Sequence, residues 1–347
     1  MRASVAPDVG ADGDWTEAGV FEVAPGVYRI PLPLPNDGLR AVNVYVLDSD
    51  DGLLLIDSGW GIAEAWTSLE TALRTLDRGM RDIRRFLITH VHRDHYTQAV
   101  FVRRRFGTRV SLGADERPTL DLLLHAFPPL VQQVTLLRLH GANVLADEVQ
   151  AAYAARNPVE EGWELPDDWL AAHDTVTHGT RTLQVVATPG HTRGHVIFRD
   201  DATRLLFAGD HVLPTITPSV GLESALSPDP LGDFLRSLAL VRTQHDARLL
   251  PAHGPVMPSV HARVDELLMH HDVRLREVEE AVVHGATTAA DVALRLRWTR
   301  RRYCLGDLDV FNRMLAVSET VAHLDLLVAQ GRLRSEVSAK RREYGPW

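Results

Sequence analysis

Seven residues, Thr89-His90-Val91-His92-Arg93-Asp94-His95, constrain this chain more than any other stretch. They follow the apolar run Phe86-Leu87-Ile88, which reads as a buried strand, and they place three histidines and an aspartate side by side. Polar side chains at the end of a core strand are costly to desolvate unless something partners them. A transition-metal ion does so, because neutral imidazole and carboxylate are good ligands for zinc and its neighbours. On an extended or turning backbone His90 and His92 point to the same side. Asp94 and His95 then enter the next turn, where they can face a second ion.

Three further segments repeat the pattern at long range: Thr188-Pro189-Gly190-His191-Thr192-Arg193-Gly194-His195, Phe207-Ala208-Gly209-Asp210-His211 and Pro251-Ala252-His253-Gly254-Pro255. Each sets a His or Asp after a short apolar run, with glycine nearby to permit a tight turn. Together with Asp57 in Leu55-Ile56-Asp57-Ser58-Gly59, these segments resemble, in order, the motifs of the metallo-β-lactamase-fold hydrolases. The resemblance implies an α+β, four-layer αββα sandwich. It also implies a first ion on His90, His92 and His191, a second on Asp94, His95 and His253, and Asp210 bridging them. Asp57 is expected to hold a ligand histidine by a hydrogen bond, and His195 to be structural. His211, next to Asp210, is expected to line the pocket and donate to a substrate oxyanion, with plain packing as the alternative; Asp94 is counted with it as catalytic.

Two ions so held would lower the pKa of a shared water toward neutrality and stabilise a developing oxyanion, the chemistry of metal-assisted hydrolysis. Zinc is the first choice of metal, with iron or manganese as alternatives. With an aspartate at the bridging position, where antibiotic-hydrolysing members use other ligands, the resemblance favours hydrolases of the glyoxalase II, lactonase and thioesterase kind rather than a true β-lactamase. Tyr96 and Thr97 stand where many members carry small residues, so entry to the pocket is expected to differ. Histidine is common here, 17 residues in all, and His125, His140, His173, His178 and His270 read as surface or core side chains.

A chain of 347 residues exceeds the usual single-domain size, so a large domain with a smaller companion is expected. Composition is that of a soluble protein, 45% hydrophobic and 24% charged. No run reaches the length of a membrane span, Met1 to Trp15 carries no apolar signal segment, and Cys304 stands alone, so cytoplasmic residence is expected. A net charge of −9 argues against a surface that grips nucleic acid throughout.

Strands are expected at 26–30, 41–47, 53–56 and 86–89, then at Val176, 183–187, 196–199 and 204–208, with a last one at 248–252. Helices fall at 62–76, 98–106 and 234–244, and turns at Asn36-Asp37-Gly38 and 48–52. This places a catalytic domain at 1–257, interrupted by a helical insert over about 114–170. The insert's apolar residues, among them Phe127, Leu130 and Leu137, suit either a lid over the substrate or packing on the core. A C-terminal domain at 258–347 reads as helices at 261–284, 290–296 and 316–330 followed by a Gly331 hairpin, a winged-helix-like pattern found in the branch containing the lactamase-like protein 2 type. From Asp291 onward it holds 11 Arg or Lys against 7 Asp or Glu, with Arg300-Arg301-Arg302 beside Trp298 and Tyr303.

The expected function is hydrolysis of an ester, thioester or lactone of a small organic substrate. Alternatives are a phosphodiesterase or endoribonuclease holding RNA on the basic segment, and a metal-stabilised regulator that binds nucleic acid. The basic run also suits an exposed face or a homodimer contact. No membrane partner is expected.

Overall fold

The structure is a computed structural model that describes residues 5–8, 13–35, 38–125, 130–154, 162–338 and 340–347. Asn36 and Asp37 of the expected turn, and Phe127 of the insert, lie outside them. The first half runs β1 (Ala6–Pro7), β2 (Phe21–Ala24), β3 (Val27–Pro33), β4 (Ala41–Ser49), β5 (Gly52–Ile56), α1 (Ala63–Thr75), β6 (Ile83–Ile88), α2 (Arg93–Phe106) and β7 (Arg109–Gly113). The insert supplies α3 (Arg117–His125), α4 (Val131–Leu139), α5 (Asn143–Tyr153) and β8 (Asp168–Leu170). The second half follows as β9 (Thr175–His178), β10 (Arg181–Ala187), β11 (Val196–Asp200), β12 (Leu205–Gly209), α6 (Pro230–Thr243) and β13 (Arg248–Pro251). The tail holds α7 (Val260–Val283), α8 (Ala289–Arg295), α9 (Val310–Ala329), β14 (Leu333–Ser338) and β15 (Arg341–Pro346).

Strands β1 to β8 form one sheet in chain order, antiparallel from β2 to β5 and parallel from β5 to β8. The second sheet has the order β13-β12-β11-β10-β9, with β12 and β13 parallel. Central strands such as β5 and β12 are buried throughout, which is why they read as unbroken apolar runs rather than as alternating ones. Between the sheets Tyr45, Leu47, Ile56 and Leu87 meet Leu183, Val185, Phe198 and Phe207, and the Tyr45 ring stands edge-on to Phe207 at 5.4 Å. Helices α1 and α2 cover the outer face of the first sheet through Leu69, Leu73, Tyr96 and Val100. Helix α6 covers the second sheet through Phe234, Leu238 and Val241. The molecule is therefore the expected four-layer sandwich. Burial of a Leu or Phe in such a core is worth roughly 1.5–3 kcal/mol each.

The apolar cluster under α6 continues without a break into the insert (Leu137, Ala146, Val149) and the tail (Leu267, Leu324, Leu327, Leu333, Tyr344). Insert, tail and second sheet thus share one core, and the tail ends in the antiparallel β14–β15 hairpin.

The structure corrects several sequence expectations. Helix α2 begins at Arg93 rather than 98, so Asp94 and His95 lie in its first turn. Helix α9 begins at Val310 rather than 316, because Asp309 accepts the Asn312 amide and caps it. Strands β2, β7 and β8 went unanticipated. Two of them are very short, and β7 owes its stability to parallel pairing with β6, which sequence periodicity does not register.

Candidate metal centre

Each ligand candidate follows the C-terminal end of a strand, where the chain leaves the sheet and its side chain is no longer committed to a core face. His90 and His92 follow β6, and His92 is the N-terminal cap residue of α2 with extended backbone (φ −62, ψ 150). The carboxylate of Asp94 in the first helical turn faces the positive end of the helix dipole. His191 sits in the β10–β11 connection, Asp210 follows β12 and His253 follows β13. Backbone bonds hold these ends together: Val196 N–H donates to Thr89 O at 2.8 Å and Ala252 N–H to Gly209 O at 3.1 Å. Asn43 on β4 donates from Nδ2 to Pro251 O and Gly254 O, so the first sheet anchors the His253 loop.

The seven candidates fall into two clusters, His90, His92, His191 and Asp210, and Asp94, His95 and His253, each with ligand atoms within 4.8 Å of one another. In the first, His92 Nδ1 lies 3.0 Å from His90 Nε2 and 3.1 Å from His191 Nε2. In the second, His253 Nε2 lies 3.4 Å from Asp94 Oδ2, and His95 Nε2 lies 3.6 Å from the same oxygen. Asp210 reaches both. Its Oδ2 is 3.5 Å from His191 Nε2, while its Oδ1 is 3.4 Å from His253 Nε2 and 3.7 Å from His95 Nε2.

The far side of each ring decides which nitrogen faces inward. His191 Nδ1–H donates to Ser219 O at 2.7 Å, His253 Nδ1–H to Ala41 O at 2.8 Å and His95 Nδ1–H to Asp57 Oδ2 at 2.9 Å. His90 Nδ1–H donates to Thr89 Oγ1 at 3.0 Å, and that hydroxyl donates onward to Asp57. Four Nε2 lone pairs are therefore bare and converge. His95 Nε2, His253 Nε2 and Asp210 Oδ1 are buried with no hydrogen-bond partner among the described residues. Bare lone pairs about 3 Å apart repel unless a cation lies between them, so this donor set fits divalent metal ions.

Titration follows the same geometry. Burial, and then His191, hold His92 down to about 3, and burial with His95 keeps His90 well below its ordinary value. Burial also opposes charge on His95, but Asp94, Asp57 and Asp210 outweigh it and push that imidazole up to about 10, so a proton competes with a cation for its inward-facing Nε2. Asp94 and Asp210 lie below the usual carboxylate range because the surrounding histidines overcome their desolvation.

Asp57 is not within either cluster. Buried and held at φ 59, it also accepts the Thr89 amide at 2.8 Å, so its carboxylate underpins both His95 and His90. His195 likewise stands outside: it accepts the Asp210 amide at Nε2 (3.2 Å) and meets Thr188 Oγ1 at Nδ1 (2.8 Å). His211 is wholly buried, edge-on to Phe234 at 5.3 Å, and burial holds it down to about 3. Neither of its ring nitrogens has a hydrogen-bond partner among the described residues, the Ser237 backbone lying near but outside bonding geometry.

Sequence reading missed a second carboxylate pair behind the centre. Glu116 and Glu223 are both buried; burial and then Glu223 push Glu116 up to about 8, and burial pushes Glu223 up to about 7. No local motif announces either residue, because their partners are brought up from distant parts of the chain.

Residues 37–253 match the profile of the family described as the Metallo-beta-lactamase superfamily. A Caenorhabditis elegans protein named Beta-lactamase-like protein 2 homolog is 25% identical over 73% of this chain and 70% of its own length. Probable metallo-hydrolase YqjP of Bacillus subtilis is 23% identical over 88% of this chain and 93% of its own. A Cryptosporiopsis protein named Atrochrysone carboxyl ACP thioesterase is 23% identical over 76% of this chain and 65% of its own. Among solved structures, a metallo-beta-lactamase family protein from Thermus thermophilus superposes with a TM-score of 0.77 at 27% identity, covering 94% of this chain and all (100%) of that one. A beta-lactamase domain protein from Burkholderia ambifaria gives 0.78 at 26% identity, covering 98% and 99%.

Proposed function

This chain belongs to the metallo-beta-lactamase superfamily, and from that premise we propose that it is a dinuclear metal-dependent hydrolase of a small ester, thioester or lactone. The observation that carries the reading is the inward convergence of bare imidazole nitrogens on Asp210, whose two oxygens face one cluster each. His90, His92 and His191 would hold one ion, Asp94, His95 and His253 the other, and Asp210 both, with zinc as the first choice. When bound, such a pair supplies Lewis acidity and acidifies water near neutral pH.

The protein's own groups do the rest. Ser219 O, Ala41 O, Thr89 and Asp57 favour a proton on Nδ1 in four of the ligand rings, leaving Nε2 of each to face inward. The buried surroundings keep water from competing for those lone pairs and strengthen every charge interaction in the site. We retain His211, with its two unpartnered nitrogens, as the candidate donor to a substrate oxyanion. The ACP thioesterase name of one relative gives thioesters first place among the substrates.

The test is turnover of a panel of acyl thioesters, lactones and aryl esters by metal-loaded protein, before and after stripping with a chelator. Hydrolysis lost on stripping and restored by metal supports the proposal; turnover indifferent to metal refutes it.

A second reading, cleavage of phosphodiesters in RNA, is favoured by one feature. Arg300 and Arg302 are exposed in the Trp298–Tyr303 turn, and neither has a carboxylate within 4.0 Å among the described residues. The β14–β15 hairpin would then serve as the wing of a nucleic-acid-binding tail. Metal-dependent cleavage of single-stranded RNA that is lost with Arg300 to Arg302 would place it above the ester reading.

A further inference from the structure

The structure assigns to Glu116 the role of a positioning residue, a buried clasp that sets the spacing of His90, His92 and His191; this rests on the metal centre proposed above. One oxygen, Oε1, accepts from two segments of chain. Val91 N–H donates to it at 3.4 Å, and Val91 lies between His90 and His92. The Thr192 hydroxyl donates to the same oxygen, and Thr192 directly follows His191. These segments leave different sheets, one after β6 and the other after β10, so no regular secondary structure ties their ring positions together.

Two glycines make the reach possible. A Cβ on Gly113, at the end of β7, would stand 2.2 Å from Gly194 O, and one on Gly194 would stand 2.1 Å from Glu116 N. Both distances are shorter than any real Cβ contact, so the backbone entering the insert and the backbone after His191 are packed closer than any side chain allows. Glu223, a charge neighbour of Glu116, holds the same two stretches of chain together. Its Oε2 accepts Arg193 N–H at 2.9 Å and its Oε1 accepts the Thr119 hydroxyl. The loop carrying Glu223 is also the one whose Ser219 O orients His191. The insert thus enters the protein as part of the scaffold of the centre, whatever its helices do farther along.

Desolvating two neighbouring carboxylates is expensive, and an apolar pair of the same shape would pack more cheaply. What the carboxylates add is acceptor geometry: a single oxygen fixing an amide and a hydroxyl, each one residue from a ligand. Residues behind metal ligands typically change metal affinity by about 10–100-fold when altered.

The experiment is metal titration against a competing chelator, with cobalt absorption as a second readout, on full-length wild-type protein and the variants Glu116→Ala, Glu116→Gln and Thr192→Val. His191→Ala serves to identify the signal of the first cluster. Glu116→Ala is expected to weaken that ion by about 10–100-fold and to leave the other at wild-type affinity. Glu116→Gln keeps an oxygen at the Oε1 position and is expected to bind as wild type does. Wild-type affinities for both ions in Glu116→Ala overturn the clasp. If that variant does not fold, the nearly isosteric Thr192→Val decides: weakening at the first cluster supports the clasp, and unchanged binding overturns it. A wild-type protein that takes up no ion sinks the metal reading and the clasp together, an outcome distinct from unaltered variants.

Discussion

Asp57 Oδ2 stands 2.9 Å from His95 Nδ1, while Oδ1 of the same carboxylate accepts the Thr89 amide at 2.8 Å. One buried acid therefore orients His95 directly and His90 through the Thr89 hydroxyl. In Asp57→Asn the amide can accept on one side only and turns a donor toward the other. Asn tolerates the left-handed backbone at this position (φ 59), so the fold is expected to persist. Metal affinity is expected to fall by about 10–100-fold, most at the His95 cluster. Chelator competition measures it, and unchanged affinity would show that the carboxylate does not orient those rings.

Among the described residues Asp210 is the single group whose two oxygens face both clusters. Replacing it by Ala is expected to reduce the metal content from two ions to one or none, and hydrolysis by ~100-fold or more. Elemental analysis of the purified variant checks the first expectation. Retention of two tightly bound ions would remove Asp210 from the bridging position.

The buried Glu116–Glu223 pair predicts a pH dependence of stability. Both groups have folded-state values raised from 4.5, to about 8 and about 7, with burial as the leading cause. A carboxyl raised in this way contributes stability that is fully present below its unfolded value and is lost as pH rises through the folded one. Wild type should therefore lose stability relative to Glu116→Gln as pH climbs from about 4.5 to about 8. Thermal unfolding of the two proteins across that range, both metal-loaded, measures it. A difference in Tm that stays flat with pH would mean Glu116 does not titrate there.

Gly190 holds φ at +140, and a Cβ there would stand 2.4 Å from the Phe234 backbone. Gly190→Ala should displace α6 from the loop bearing His191. The expected cost is about 1–3 kcal/mol from overpacking, plus about 1 kcal/mol or more from the backbone conformation. Urea unfolding with an unchanged midpoint would contradict the packing described.

Substituting serine for Arg300, Arg301 and Arg302 together should leave ester or thioester turnover untouched and stability within about 0.5 kcal/mol, because these side chains are exposed and the Arg301 bond to the Tyr303 hydroxyl is long, at 3.4 Å. Loss of ester turnover in that variant would tie the tail loop to the small-molecule site.

Much of the centre is legible in the chain because chemistry and position coincide there. His90, His191, Asp210 and His253 each follow an apolar run, and the glycines at 190, 209 and 254 mark the turns that free them. The division of the strands into two half-sheets follows from the same runs. The start of α2 was misplaced because His92 offers no side-chain cap, so the motif reads as loop although Asp94 and His95 are already helical.

What the sequence by itself determined is the kind of atoms available and the strand ends that carry them, since both depend on residue type and short-range pattern. Which imidazole nitrogen faces inward was decided only by tertiary structure, because Ser219 O, Ala41 O and Asp57 reach their rings from 28, 212 and 38 residues away. The same holds for Glu116, 76 residues from Thr192, whose place behind the ligands depends on two backbones meeting at Gly113 and Gly194. Such contacts arise from packing between sheets, and no periodicity along the chain encodes them.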